Sequence, residues 1–193
     1  QGELRCWYNN GNDHMLINYI DGKKYGIYKC WYRNKAILHI AIYRNDIKVR
    51  YEDFFYEDGA IFKSMYYKNG LIDGYVRMFW NNGNRSSEKF MVASIEDGMF
   101  REWYYNGQIK CIGQYKNGFK CGSITEWNSS GNIKSEYFML VGLKHGIYKE
   151  YYNNGNLSLS CIYYYGIAEG RFISYYANGN PNCYLFFTRG KLD

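Results

Sequence analysis

Gly146-Ile147-Tyr148-Lys149-Glu150-Tyr151-Tyr152-Asn153-Asn154-Gly155 is the stretch on which the fold turns. A glycine opens it, Ile147-Tyr148 and Lys149-Glu150 follow, then two rings, and an Asn-Gly pair closes it. Asn-Gly between β-prone runs is the strongest short-range hairpin signal, since a primed turn needs positive φ at both residues. A second run, led by Leu157 and reaching Tyr163, ends at a further glycine, Gly166. Outward in both directions the cadence restarts every 24 residues, at Gly2, Gly26, Arg50, Gly74, Gly98, Gly122, Gly146 and Gly170. Fixed-period self-similarity marks an array whose repeats pack on their neighbours.

The repeats run 2–25, 26–49, 50–73, 74–97, 98–121, 122–145, 146–169 and 170–193, which reads as one repeat domain over 2–193. Each is strand, Asn-Gly turn, strand, glycine turn. About twelve residues per strand and turn are too few for a helix, and two glycines per repeat would break one. The expected fold is all-β: a single elongated, twisted antiparallel sheet of eight 24-residue β-hairpins. Lys35, Arg50 and Ser94 replace glycines of the pattern in the second to fourth repeats, where regularity is expected to weaken.

Counted from the leading glycine, position 6 is always a ring: Trp7, Trp31, Phe55, Phe79, Trp103, Trp127, Tyr151 and Tyr175. This column is expected to be the structural core, because stacked rings supply most of the apolar burial of a thin array. Trp103→Ala would then cost on the order of 3–5 kcal/mol, and Arg101→Ala much less. Position 7 is aromatic except at Asn128, and position 3 is apolar except at Glu52. Side chains alternate along a strand, so positions 3, 5 and 7 share one face and 2, 4, 6 and 8 the other.

Position 4 carries Arg5, Lys29, Arg77, Arg101 and Lys149, interrupted by Asp53, Thr125 and Ile173. A basic ladder beside rings could bind polyanions, gripping phosphates and stacking bases or lipid headgroups. The blander role is that Arg and Lys stems cover the rings while their charges stay wet, and the interruptions favour it. Position 5 is apolar early (Cys6, Cys30, Phe54, Met78) and acidic late (Glu102, Glu126, Glu150), which suggests a partner patch toward the N-terminal half.

The pattern G-x-apolar-x-x-[WY]-[YW]-x-N-G, quoted best by 146–155, resembles the MORN repeat along the whole chain. It is most similar to variant repeats of bacterial antitoxin-like and giant-virus proteins. The resemblance implies protein scaffolds, membrane-apposed modules or dimerising rods.

Chemistry has no visible seat. His14, His39 and His145 sit at three different repeat positions, and no G-x-S-x-G, P-loop or G-x-G-x-x-G is present. Acidic neighbours such as Glu52-Asp53 and Glu96-Asp97 point to opposite faces of a strand. No enzyme, cofactor, metal or small-molecule substrate is expected. None of the six cysteines forms C-x-x-C. Cys6 and Cys30 would lie two strands, roughly 9 to 10 Å, apart, beyond disulfide reach.

Reduced thiols suit the cytoplasm. The longest apolar run, Phe138-Met139-Leu140-Val141, is far short of a membrane span, and no secretory signal opens the chain. An initiator Met is absent at Gln1, so a preceding segment is expected. A bias to Asn, Lys, Ile and Tyr hints at an AT-rich genome, a giant DNA virus or low-GC bacterium. Separately, the open ends and faces of a single-layer sheet suggest association or burial within a larger assembly such as a virion.

The leading functional expectation is a non-enzymatic scaffold that binds protein partners or forms a homo-oligomer. An anionic membrane surface is the alternative partner, with nucleic acid behind it. An antitoxin-like role follows only from the resemblance.

Overall fold

The computed structural model describes residues 1–193. It contains strands and turns and no helix, so nothing in it is a helix long and apolar enough to cross a membrane. The chain divides into two compact halves, Gln1–Ile95 and Glu96–Asp193. The first carries β1 (Gly2–Trp7), β2 (Asp13–Ile20), β3 (Lys23–Lys24), β4 (Gly26–Trp31), β5 (Ile37–Arg44), β6 (Ile47–Lys48), β7 (Arg50–Phe55), β8 (Ile61–Lys68), β9 (Leu71–Ile72), β10 (Gly74–Phe79) and β11 (Arg85–Val92). The second carries β12 (Ile95–Trp103), β13 (Ile109–Lys116), β14 (Phe119–Trp127), β15 (Ile133–Leu140), β16 (Leu143–Tyr151), β17 (Leu157–Tyr164), β18 (Ile167–Tyr175), β19 (Pro181–Thr188) and β20 (Lys191–Leu192). Within each half, strands pair antiparallel in chain order, hairpin beside hairpin.

The register is the same in every repeat. In β16 and β17, Gly146 faces Tyr163, Ile147 faces Ile162, Tyr148 faces Cys161, Lys149 faces Ser160 and Glu150 faces Leu159. The next hairpin continues the rows, with Phe172 beside Cys161 and Ile173 beside Ser160. Positions 3 and 16 therefore form one row on one face; positions 2 and 17, and 4 and 15, form rows on the other.

The row of positions 3 and 16 is where the core sits. Val76, Phe100 and Ile124 at position 3, and Ile17, Ala41, Met65 and Cys161 at position 16, are all buried. Two clusters form around it: Met65, Val76 and Met91 in the first half, and Phe100, Cys111 and Ile124 in the second. The ring column expected to be the core is only half-buried, and Trp7 is 58% exposed. The reason is local. A register shift follows position 5 in each repeat, as between Glu126 and Trp127, so position 6 stands at the mouth of the hairpin on the more open face. Tyr151 shows that placement, its hydroxyl donating to Glu136 of the row of positions 4 and 15.

The turns also differ from expectation. At the Asn-Gly turn only glycine enters the left-handed region (Gly11, φ 82°). Its N–H donates to the Tyr8 carbonyl (2.9 Å), and Tyr8 N–H donates to Asn12 O (2.8 Å). This is a longer turn closed by a bulge, in which Asn10 Oδ1 accepts the Asn12 N–H instead of lending positive φ. The primed two-residue geometry lies at the second turn, where both residues have positive φ, as in Asn117 (49°) and Gly118 (81°). Lys35 (φ 74°), Arg50 (φ 63°) and Ser94 (φ 67°) adopt the backbone of the glycines they replace. Regularity persists there at the cost of strain.

Three outcomes follow for thermal and denaturant unfolding. Ile124→Ala should lose about 3 kcal/mol, clearly more than Trp127→Ala. Gly113→Ala should destabilise by about 1–3 kcal/mol, because its Cβ would stand 2.2 Å from Ile124 Cδ1 and 2.6 Å from Phe100 Cε1. Val141 is β-branched at φ 49° in a primed turn. Val141→Asn should therefore stabilise, by about 1 kcal/mol.

Candidate interaction surfaces

One hydrogen bond recurs along the hairpin ends. The position-7 hydroxyl donates to the position-6 carbonyl of the following repeat: Tyr8 to Trp31 (2.7 Å), Tyr32 to Phe55 (2.8 Å), Tyr56 to Phe79 (2.8 Å), Tyr104 to Trp127 (2.8 Å) and Tyr152 to Tyr175 (2.7 Å). Trp80 has no hydroxyl to give, and at Asn128, the one non-aromatic residue of the column, Nδ2 donates to Asn153 Oδ1 (2.9 Å). Turn asparagines add parallel bonds, such as Asn106 Nδ2 to Ser129 O (2.9 Å). The choice of Tyr over Phe at position 7 was the sequence signal for this tie, since only a hydroxyl can make it.

On the face that holds the core, the late acids of position 5 are engaged. Glu126 accepts Ser135 Oγ (2.8 Å) and Tyr137 Oη (3.0 Å), Glu150 accepts Tyr148 Oη, and Glu102 meets Lys110 Nζ at 3.0 Å. Burial, then the bonded carboxylate, pushes the Tyr137 and Tyr148 phenols well above their usual range. The early residues of position 5 are engaged as well: Cys30 is buried, and Phe54 stacks on His39 at 4.1 Å with the planes 6° apart. Two residues of the apolar patch expected there, Cys30 and Phe54, are thus taken up by internal packing.

Glu52 stands at a position 3 otherwise filled by apolar side chains and is 2% exposed. It accepts from His39 Nε2 (2.8 Å), Lys48 Nζ (2.5 Å) and Tyr67 Oη (2.8 Å). Burial alone would raise its carboxyl. The bonds from His39, Lys48 and Tyr67 overcome that and hold it at about 2, below its ordinary 4.5. A depressed carboxyl contributes fully above its unfolded value, and the contribution fades as pH falls toward 2. Its ceiling is about 3 kcal/mol. Glu52→Gln should lower the neutral-pH melting temperature and flatten its dependence on acid between pH 5 and 2, read by calorimetry across that window.

The basic ladder lies on the opposite face, interleaved with position 15. Arg5 Nε is 3.4 Å from Glu3 and 3.9 Å from Asp13. Arg77 Nε is 2.7 Å from the buried Glu88, which Arg85 also meets at 3.3 Å. Lys149 faces Glu136 across the strands. Lys29 faces Leu16 and Ile40, and Arg101 faces Ile112. The ladder is thus compensated by acids at Arg5 and Arg77, faces one at Lys149, and has apolar cross-strand neighbours at Lys29.

Beside it runs a feature the sequence reading passed over. Positions 2 and 17 place large apolar side chains in exposed cross-strand pairs. Tyr51 meets Tyr66 edge-on at 5.1 Å, and Tyr75 meets Phe90 at 5.0 Å, in the first half. In the second half Ile147 (58% exposed) faces Ile162 (40%), with Phe138 and Phe186 exposed in the same rows. A groove of about 340 Å³ opens there between Phe138, Ile147, Thr125, Glu136 and Lys149. Period-2 alternation with apolar residues on both faces was the available signal.

No three His, Cys, Asp or Glu side chains converge as metal ligands would. His14 packs on Tyr8, and His145 lies between Tyr164 and Tyr165. Cys6 and Cys30 pair with opposite edges of Met15, so a whole strand separates them.

A family model described as MORN repeat variant matches residues 96–117 and 144–164, both in the second half. No curated protein matches the chain. MORN repeats are generally associated with protein or membrane-lipid interaction, and their proteins are generally non-catalytic scaffolds. The recurrence of one register, one bulge and one tyrosine tie accords with that match. The protein bears MORN repeats of the variant type, shown on those two stretches.

Proposed function

We propose that this chain is a non-enzymatic interaction scaffold that binds protein surfaces through the exposed apolar columns of positions 2 and 17. One observation carries the reading: Tyr51, Tyr75, Ile147, Ile162, Phe138 and Phe186 stand exposed in ordered cross-strand rows, although the opposite face already supplies a core. Contiguous exposed apolar side chains with a polar rim mark an interaction surface, and aromatic residues are enriched at such surfaces. Either a distinct partner or a second copy satisfies this chemistry, as does placement within a larger assembly.

The competing reading is a peripheral binder of anionic lipid or nucleic acid through Arg5, Lys29, Arg77, Arg101 and Lys149. The ion pairs at Arg5 and Arg77 weigh against it, because part of that positive field is already neutralised.

Salt and one double substitution separate the two. Chemical cross-linking of the full chain in its native cells should capture a protein contact that persists at moderate salt. Ile147→Lys with Ile162→Lys should remove that contact while lowering the melting temperature less than Ile124→Ala does. Flotation with acidic vesicles that collapses with added salt, and that is untouched by the double substitution, would instead assign the role to the ladder.

A further inference from the structure

Where one repeat joins the next, position 14 faces position 5 of its successor. Met15 faces Cys30, His39 faces Phe54, Cys111 faces Glu126, Ser135 faces Glu150 and Leu159 faces Ser174. Position 15 faces position 4, as Leu16 faces Lys29, and position 16 faces position 3, as Cys161 faces Phe172. Two strands have such a neighbour on one side only. β1 pairs with β2, and β19 pairs along its length with β18. The short β20 meets β19 only at Phe187 and Thr188. It leaves the rest of that edge open, as β3 does beside β2, where β4 takes up Met15 and Leu16.

These two edges match each other residue by residue. β1 carries Leu4, Arg5 and Cys6 at positions 3, 4 and 5, and β19 carries Cys183, Tyr184 and Leu185 at positions 14, 15 and 16. In the register of the internal junctions Leu185 would face Leu4, Tyr184 would face Arg5, and Cys183 would face Cys6. Leu4 is 44% exposed, whereas Val76, Phe100 and Ile124 of the same column are buried, so the central row loses its cover at this edge. The tyrosine tie points the same way. Tyr176 brings the position-7 hydroxyl of the last repeat to the β19 edge, and Trp7 brings the position-6 carbonyl of the first repeat to the β1 edge; both side chains are more than half exposed. Asn154 Nδ2 donates to Ala177 O (2.7 Å), a bond from position 9 to position 8 that Asn178 would repeat onto Asn9.

We propose that β1 of one copy pairs antiparallel with β19 of a second copy, in the register of the internal junctions, so that the chain associates head to tail through its two edge strands. An open edge is a template for strand addition, in which main-chain hydrogen bonds supply affinity and side chains set the register. A second copy is the occupant because the contact continues an interface the chain already builds between its own repeats. It sets apolar residue against apolar residue in the central row and brings tie donor and tie acceptor to the same hairpin mouth. The contact is heterologous, so each pair keeps one free edge of each kind and association proceeds beyond two copies unless a ring closes. It uses neither apolar column of the opposite face. Ile147→Lys with Ile162→Lys should leave it intact, and the two readings therefore fail independently.

A cysteine trap reads both the contact and its register. Directly opposed strand residues hold their Cα atoms about 4.5–5.5 Å apart, within disulfide reach. Cys183 is exposed and Cys6 half-buried, while Cys30, Cys111 and Cys161 are buried. Purified Cys6→Ser protein and Cys183→Ser protein are treated, apart and mixed, with a diazenedicarboxamide oxidant. The diazene takes two electrons and two protons from a pair of thiols, leaving one S–S bond and a hydrazine. The mixture should yield a covalent dimer whose digest contains the Cys6–Cys183 peptide pair, and neither variant alone should yield one. Under reductant, light scattering should show the mass of the unsubstituted chain rising with concentration. Leu4→Lys should weaken that association about tenfold or more. The trap alters no buried residue, so it stands even if Leu4→Lys disturbs folding. The proposal is overturned if the mixture of folded variants gives no Cys6–Cys183 pair, or if Cys6→Ser protein alone dimerises as well through Cys183. A mass that stays at one chain at every concentration overturns it too.

Discussion

A sheet one layer thick has no second layer to cover it, and this constraint governs the rest of the structure. Each hairpin must find its burial on its own surface and its cohesion along its own edge. The edge is secured twice, by the strand ladder and by the position-7 tyrosine hydroxyl that reaches the backbone of the following repeat, as Tyr32 reaches Phe55. That bond occupies a carbonyl at the hairpin mouth, where the register shift breaks the ladder and an acceptor would otherwise stand unmet.

Burial is solved by folding long side chains back over the central row. Small and branched residues such as Ala41 and Ile124 occupy positions 3 and 16, while tyrosines at position 18 and lysines at position 23 lie over them. Lysine suits the task because its stem excludes water while its ammonium rests on a ring. Carboxylates enter the same layer only where hydroxyls or ammonium groups receive them, as Glu126 and Glu52 do. An unpaired charge at that depth would be far too costly.

The opposite face has no such cover. Its half-buried rings at position 6 are shielded in part by the row of positions 4 and 15, and its outer rows at positions 2 and 17 present Tyr51, Tyr75 and Ile147 to solvent. Those rows are surface that a helix or a second sheet would have concealed.

Period, strand class, hairpin order and the identity of the repeat were legible in the sequence, because each depends on local spacing: glycine where the backbone turns left-handed, rings and branched residues where it runs extended. Even Arg50 and Ser94 kept the pattern, since the ladder on both sides imposes the turn more strongly than a substituted side chain resists it. Which column becomes the core was not legible. Position 6 is the most aromatic, but burial depends on how many side chains converge on a site, and that number is set by the bulge after position 5 and by lysines arriving from position 23 of the preceding repeat. The partners of Glu52, from His39 to Tyr67, likewise come from three strands. Local pattern fixes what each residue's backbone does; only the assembled sheet decides which side chains stand over which, because contacts across strands join residues whose separation the period alone does not rank.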